Sequence, residues 1–243
     1  MEKNRLGYSF TIKFLDGLFF PSMGITLSLL VLFCFMNQTS LAYTNDVLKI
    51  ISKKLIQDQY NYKHLIGILQ NNANKTVNNV IISANFFDKS NRSIGNFSKQ
   101  TEITTINPKE ITPFDILIYN KDINDKINEY STNIKYNFTN HKDENLVIES
   151  SNSHIDLITG FYFINGEIKN KGQLYSNNTT VISITYDKDK DLAGIWKAQT
   201  EPYNIPPFTE ASFSIPVTDK IQSYNILNYT LLAESDKYVK SKG

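Results

Sequence analysis

The sequence predicts an all-β protein made of two tandem β-sandwich domains that follow an N-terminal export segment. Three observations support this prediction: a composition suited to strands, an apolar N-terminus with small residues after it, and an internal repeat with a constant offset. Fourteen Tyr, fifteen Phe and abundant Ile, Thr and Val favour strands, and a hydrophobic content of 41% is enough for a packed core. A chain of 243 residues accommodates two domains of ordinary size.

The N-terminus has the three parts of a secretory signal. Lys3 and Arg5 give a positive start, residues 18–36 are mostly apolar, and Ser40-Leu41-Ala42 places small residues where a signal peptidase cleaves. Residues 1–42 are therefore interpreted as a cleaved signal peptide or as an uncleaved signal anchor in which residues 18–36 cross the membrane. Both interpretations place the rest of the chain outside the cytoplasm, either secreted or anchored to the cell membrane.

Cys34 is the only cysteine. If the signal is removed, the mature chain has no disulfide and no thiolate metal site, so its domains depend on their hydrophobic cores. Lipidation of Cys34 is disfavoured, because the bulky Leu32 and Phe33 precede it.

The repeat is revealed by shifting the sequence by 99 positions. Between residues 46–138 and 145–237, 19 of 93 positions are identical without a gap. The identities fall largely on turn formers and aromatic residues, which fix backbone geometry and core shape. They include Gly67 and Gly166, Asn71 and Asn170, Asp88 and Asp187, Gly95 and Gly194, and Phe114 and Phe213. We predict one domain over residues 46–139 and a second over residues 145–237, with a short linker between them.

Each copy reads as strands of five to eight residues separated by Asn, Gly and Pro turns, the spacing of a β-sandwich. Residues 47–57 have some helical spacing, but residues 146–155 do not, so this segment is interpreted as a strand in both copies. One strand does not follow the alignment. Its apolar residues Val181 and Ile184 do not repeat the alternation of apolar residues in segment 80–86. A compensated one-residue slip or a β-bulge is the predicted explanation.

The pattern of turn-forming residues in both copies resembles that of the FxLYD domain. In the second copy the resemblance is carried by the string GEIKNKG at residues 166–172, by Tyr186-Asp187 and by Gly194. In the first copy it is carried by Gly67, Asn71-Asn72, Phe87-Asp88, Ile94-Gly95 and residues 106–116. The resemblance implies immunoglobulin-like β-sandwiches in exported or surface-exposed prokaryotic proteins, including archaeal ones. It implies no enzymatic activity and no catalytic residues.

The sharpest candidate site is Asp187-Lys188-Asp189-Lys190-Asp191. Asp187, Asp189 and Asp191 could converge on Ca²⁺, but the Gly and Glu of a complete calcium loop are replaced by Leu192 and Ala198. A solvated hairpin turn is the favoured interpretation, and no cofactor is expected.

The histidines lack the spacing of a zinc pair. His64 is expected to fill a half-buried strand position, because it aligns with Phe163. No nucleophile elbow or phosphate loop is present in the sequence, although a hydrolase with carboxylates dispersed along the chain stays an alternative.

Two further patterns concern glycans. Asn-x-Ser/Thr acceptor sites are predicted at Asn74, Asn91, Asn96, Asn137, Asn177, Asn178 and Asn228, with Asn37 in the signal. Trp196, Tyr203 and Phe208 could form a sugar-binding platform, but core packing is favoured for Trp196, because Phe97 aligns with it.

The sequence as a whole favours a non-catalytic secreted or cell-surface protein that serves as an interaction or structural module. The alternative is a membrane-anchored ectodomain that binds a glycan or peptide. The partner is an unidentified surface protein or glycan. A net charge of +1 with scattered Lys argues against nucleic acid, which requires a clustered basic face.

Overall fold

The computed structural model describes residues 47–143 and 145–239. The predicted signal or anchor, with Cys34 and Asn37, lies outside these residues. Within the described ranges, no helix has the length and hydropathy needed to cross a bilayer.

Antiparallel β-structure dominates the described residues, which confirms the all-β prediction. We call residues 47–139 repeat 1 and residues 145–239 repeat 2. Repeat 1 contains β1 (Leu48–Gln57), β2 (Lys63–Asn71), β3 (Val77–Phe87), β4 (Ser93–Gln100), β5 (Thr105–Ile106), β6 (Ile111–Ile118), the short helix α1 (Lys121–Asn124) and β7 (Glu129–Phe138). Repeat 2 contains β8 (Leu146–Ile155), β9 (Tyr162–Asn170), β10 (Tyr175–Asn177), β11 (Thr180–Tyr186), β12 (Leu192–Gln199), β13 (Glu210–Val217), the short helix α2 (Lys220–Ser223), β14 (Asn228–Glu234) and β15 (Lys237–Val239).

The two repeats pair their strands in the same way. In repeat 1, sheet A has the order β1-β2-β6, and sheet B is built around β3, which pairs with β4, β5 and β7. In repeat 2, sheet C has the equivalent order β8-β9-β13, and sheet D has the order β12-β11-β14. In each repeat, side chains from the two sheets meet in one hydrophobic core.

The offset between equivalent strands is 99 from β2 onward and 98 in the first strand. Lys53 opposes Gly67 in repeat 1, whereas Ser151 opposes Gly166 in repeat 2. The turn between the first two strands is responsible, because residues 58–62 connect β1 to β2 and the longer segment 156–161 connects β8 to β9. The ungapped alignment therefore needs a one-residue insertion in this turn.

A shared glycine lets a shared phenylalanine pack against the strand. A Cβ atom at Gly67 would lie 2.4 Å from the Phe114 ring, and one at Gly166 would lie 2.5 Å from the Phe213 ring. Such a contact is far inside van der Waals distance, so only glycine permits this ring position.

Buried Asn71 and Asn170 make the same hydrogen bonds in both repeats. Each side-chain amide donates to two backbone carbonyls, those of Lys75 and Ile106 in repeat 1 and, in repeat 2, of the equivalent Leu174 and Ile205. Each side-chain oxygen accepts from the backbone N–H two residues further along the chain. The asparagines therefore hold the loop that follows the second strand.

The repeats contact each other through the outward face of sheet A and the outward face of sheet D. Ile66 and Ile68 of β2 form one buried cluster with Ile184 of β11 and Leu192 of β12. We call this cluster the inter-repeat contact. It explains the phase change in β11, whose residues are buried on both faces.

The predicted slip in this strand was wrong. β11 pairs with β12 in the register that β3 has with β4, since Ile81 opposes Gln100 and Thr180 opposes Gln199. Both pairs also have a bulge at the equivalent position, so a bulge does not distinguish the repeats. The apolar phase changes because β11 buries Ile182 and Ile184 against repeat 1 in addition to its own core side.

Candidate functional site

A cleft of about 190 Å³ lies beside the inter-repeat contact. Its polar lining comes from four elements: the β1–β2 turn, β2, β6 and the start of α2. These elements contribute Asp58, His64, Asp115 and Asp219, and β12 adds Trp196. The cleft therefore brings titratable side chains of repeat 1 together with Asp219 of repeat 2.

His64 is the centre of the polar lining. Its Nδ1 atom lies 2.8 Å from one oxygen of Asp115, and its Nε2 atom lies 3.6 Å from Oδ2 of Asp58. Desolvation of the ring acts against protonation, but the hydrogen bond and charge of Asp115, with the charge of Asp58, outweigh it and raise the pKa of His64. The imidazolium is thus stabilised between two carboxylates.

The carboxylates of Asp58 and Asp219 hold the backbone. Asp58 accepts from the backbone N–H groups of Tyr60 at 3.0 Å and Tyr62 at 2.7 Å. Asp219 caps α2 by accepting from the Gln222 N–H at 2.9 Å, and it also accepts from the Gln59 N–H of repeat 1 at 2.8 Å. The second bond joins the β1–β2 turn directly to repeat 2.

This arrangement bears on the hydrolase alternative. Three carboxylates line one concave site, which such an enzyme requires, but each is already engaged, Asp115 with His64 and the other two with backbone N–H groups. A general acid or base must be free to exchange a proton with a substrate. Asp58 and Asp219 are thus tied to the backbone, whereas the hydrogen bond of Asp115 with His64 is compatible with a structural or a catalytic role.

Sequence reasoning placed His64 correctly at a half-buried strand position but missed its partners. The ring is 19% exposed, and its carboxylates come from a turn and from β6. One signal was available: His64 and Asp115 align with Phe163 and Ser214, so both members of the pair differ together between the copies.

Trp196 packs against the core of repeat 2, as expected from its alignment with Phe97. Its ring covers Gly194, and its Nε1 atom is buried without a hydrogen-bond partner among the described residues. Tyr203 and Phe208, by contrast, are 54% and 62% exposed in the segment between β12 and β13. Trp196 thus packs against the core while also lining the cleft, whereas Tyr203 and Phe208 are exposed to solvent.

The Asp187–Asp191 segment adopts a turn. Oδ1 of Asp187 accepts from the backbone N–H groups of Asp189 and Asp191, and the equivalent Asp88 does the same in repeat 1. Asp187 and Asp191 also pair with Lys54 of repeat 1, while Asp189 pairs with Lys188. In the described ranges, no three His, Cys, Asp or Glu side chains are grouped to hold a metal ion.

The predicted glycan acceptors are accessible with one partial exception. Asn177 is half-buried, and the other acceptors have exposed side chains. The exposed acceptors are Asn74, Asn91, Asn96, Asn137, Asn178 and Asn228. The Asn178 side chain is also engaged, because it donates to Asp236 at 2.6 Å and accepts from Gln199.

A larger groove of about 500 Å³ runs between the repeats along the linker. Lys142 of the linker pairs with the nearly buried Glu234 at 2.8 Å and donates to the Ser235 carbonyl at 2.7 Å. Its own backbone carbonyl accepts from the Asn107 side chain of repeat 1 at 2.9 Å. The linker is therefore fastened to both repeats.

No protein-family profile matches the chain, and no curated protein shows significant sequence similarity to it.

Proposed function

We propose that this chain is an exported, non-catalytic protein whose two immunoglobulin-like, FxLYD-like repeats act together as an interaction or structural module at the cell surface. The chain would be secreted after cleavage at Ala42, or held at the membrane by residues 18–36. Its partner would be a surface protein or glycan, and its function requires no cofactor.

The observation that carries this proposal is the use made of the polar residues common to both copies. Asn71 and Asn170 bind loop carbonyls, and Asp88 and Asp187 bind turn N–H groups. A duplicated catalytic group would be expected to face a ligand, whereas these groups face their own backbone. The shared part of the repeats is thus suited to serve as a scaffold, and specific binding is assigned to residues that differ between them.

Export can be tested by fractionating the source cells and sequencing the N-terminus of the recovered protein. Protein in the medium that begins at Tyr43 would support a cleaved signal, and full-length protein cleaved by external protease would support the anchor. Full-length protein that is protected from external protease would contradict the proposal.

The alternative, an anchored ectodomain that binds a glycan, is favoured by the exposed rings of Tyr203 and Phe208. A thermal-shift screen of oligosaccharides on the full chain tests it, since a ligand of the folded state raises the melting temperature by mass action. The Tyr203→Ala/Phe208→Ala variant should lose the shift, and Tyr119→Ala, which removes another exposed ring, should retain it. A shift that survives loss of both rings would place the glycan elsewhere.

A further inference from the structure

Repeat 1 has a groove where a free edge of sheet A faces a free edge of sheet B. Among the described residues, β1 pairs only with β2, and β7 pairs only with β3. The groove between them has a volume of about 490 Å³ and is lined by residues 48–53 of β1 and by Thr132 and Ile134 of β7. We call this groove the basic flank.

Strand edges at the basic flank offer backbone groups that no other strand of the described residues uses. An extended peptide can pair with such an edge and add a strand to the sheet. Apolar side chains are also available to the added strand, because Ile50 and Ile134 are half-buried beside the core and Ile51 is 48% exposed. Backbone pairing and apolar contact are thus provided together.

The charge of the flank is positive. Lys49 and Lys53 line the groove, and the Nζ atom of Lys53 lies 4.9 Å from the centroid of the Tyr130 ring. The other charged side chains of the two edge strands are Lys135 and Glu129 on β7 and Lys54, which is paired with Asp187. Among the described residues that line the groove, Lys49 and Lys53 are therefore the only charged ones.

The positive charge of the basic flank determines which strands can pair with β1. Lysines on an edge strand oppose pairing with a strand of like charge. A second copy of β1 would bring the same lysines and be repelled. A strand with carboxylates would be attracted to them.

We propose that the basic flank binds an acidic, extended peptide segment of a partner protein, which adds to the free edge of β1 as a further strand. The inference rests on the proposed function as an interaction module and names the chemistry of its partner.

Repeat 2 supplies an internal comparison. By strand register, Val147 and Ser151 of β8 stand where Lys49 and Lys53 stand in repeat 1. The equivalent flank of repeat 2 opens into the groove beside the linker, where Lys142 is already paired with Glu234. The acidic peptide is therefore expected to bind repeat 1 and not repeat 2.

The test measures binding of a labelled peptide of about ten alternating Glu and Val residues, the length of a long strand, to the full chain in detergent by fluorescence anisotropy. The Lys49→Val/Lys53→Ser variant carries the residues of repeat 2 and should weaken binding roughly tenfold. The Lys89→Ser/Lys99→Val variant removes two exposed lysines elsewhere and should bind as the native chain does.

Two further arms separate strand addition from simple charge attraction. The same peptide with methyl groups on all of its backbone nitrogens has no N–H group on either edge, so it cannot donate the hydrogen bonds of a strand and should bind much more weakly. Bound native peptide should slow amide hydrogen exchange in β1, residues 48–53.

Equal binding of the methylated peptide, or equal losses in the two lysine variants, would overturn the inference. Binding of a sulfated polysaccharide with no binding of the peptide would also overturn it. If the peptide fails to bind a chain that is exported and surface-exposed, only this inference fails. A chain retained in the cytoplasm would instead contradict the proposed function.

Discussion

Repeat 1 and repeat 2 share a strand pairing but differ on the outward faces of their first sheets. Sheet A presents Ile66 and Ile68, both buried against repeat 2. Sheet C has Asn165 and Glu167 at the equivalent positions, and Glu167 is exposed to solvent. The core-facing residues on either side, at positions 65 and 69 in repeat 1 and 164 and 168 in repeat 2, are apolar in both, so the difference lies in the contact between repeats and not in the fold of each one.

On the outward faces of the second sheets, B and D, repeat 2 has the apolar residues and repeat 1 the polar ones. Sheet D presents Ile182 and Ile184 to repeat 1, whereas sheet B has Ser83 and Asn85 at those positions. The contact is therefore head-to-tail, with one apolar face from each repeat. Head-to-tail contacts extend into filaments when the unused faces are complementary. Here the unused faces are polar, which limits the contact to the two repeats of one chain.

The largest predicted effect comes from placing a repeat 2 residue in the contact of repeat 1. Ile66→Asn should lower the free energy of unfolding by about 3–5 kcal/mol, because it removes a fully buried side chain and buries an amide in an apolar cluster. Urea unfolding followed by the fluorescence of Trp196, the single tryptophan, measures this loss beside the contact.

Asn165→Ile is the reciprocal control. It exchanges the equivalent residue on a face that no repeat covers, so the free energy of unfolding should change by no more than about 0.5 kcal/mol. Equal losses in the two variants would show that the outward faces are not the feature that distinguishes the repeats.

The second prediction concerns the buried asparagine that both repeats share. Asn71→Ala and Asn170→Ala should each cost about 2–3 kcal/mol of unfolding free energy, because each leaves buried backbone groups unpaired. Asn72→Ala, on the exposed neighbour of Asn71, should have little effect. A large loss in one repeat and none in the other would contradict the equivalence of the two hydrogen-bond networks.

Features common to both copies could be predicted from sequence, because self-comparison reveals them. The first strand of each copy, predicted within residues 47–57 and 146–155, is observed at 48–57 and 146–155. The short strands β10 and β15 were missed, since two or three residues carry no usable periodicity. The extra residue between β8 and β9 was hidden because identities are sparse in the first strand.

Features that differ between the copies could not be predicted in the same way. The unusual phase of β11 was visible, but a sequence cannot say which surface covers a second apolar face, so a slip or a bulge was inferred in place of a contact. His64 similarly aligned with Phe163 and suggested only a filled position. Its partners, Asp58 and Asp115, come from separate elements whose proximity depends on the fold.

The third prediction tests the charged pair that only repeat 1 has. The pKa of His64 is raised above its ordinary value of 6.5, so its pairing stabilises the fold fully below that pH and loses this effect as the pH rises through the folded-state pKa. The Asp115→Ser variant carries the residue of repeat 2. Its free energy of unfolding should be lower than that of the native chain by about 1 kcal/mol at about pH 5, and by less at about pH 9. A difference in unfolding free energy that does not depend on pH would contradict this role. His64→Phe is the matched control and should remove the same component of the pH dependence.

The smallest predicted effect compares an ion pair that joins the two repeats with an ion pair that lies within repeat 1. Lys54 lies 3.1 Å from Asp187 and 3.4 Å from Asp191 across the contact, whereas in repeat 1 Arg92 lies 2.7 Å from Asp88 in the same turn. Desolvation acts to lower the pKa of Lys54, but its hydrogen bonds to both carboxylates raise it, and the bond from Lys54 is the main cause of the lowered pKa of Asp187.

These groups are exposed enough for salt to screen them, so Lys54→Ala should lower the urea midpoint reported by Trp196 slightly, and the shift should vanish in about 0.5 M salt. Arg92→Ala removes a pair that does not cross the contact and should leave this midpoint unchanged. If Arg92→Ala lowers it as much as Lys54→Ala, the bond from Lys54 makes no contribution that is specific to the contact between the repeats.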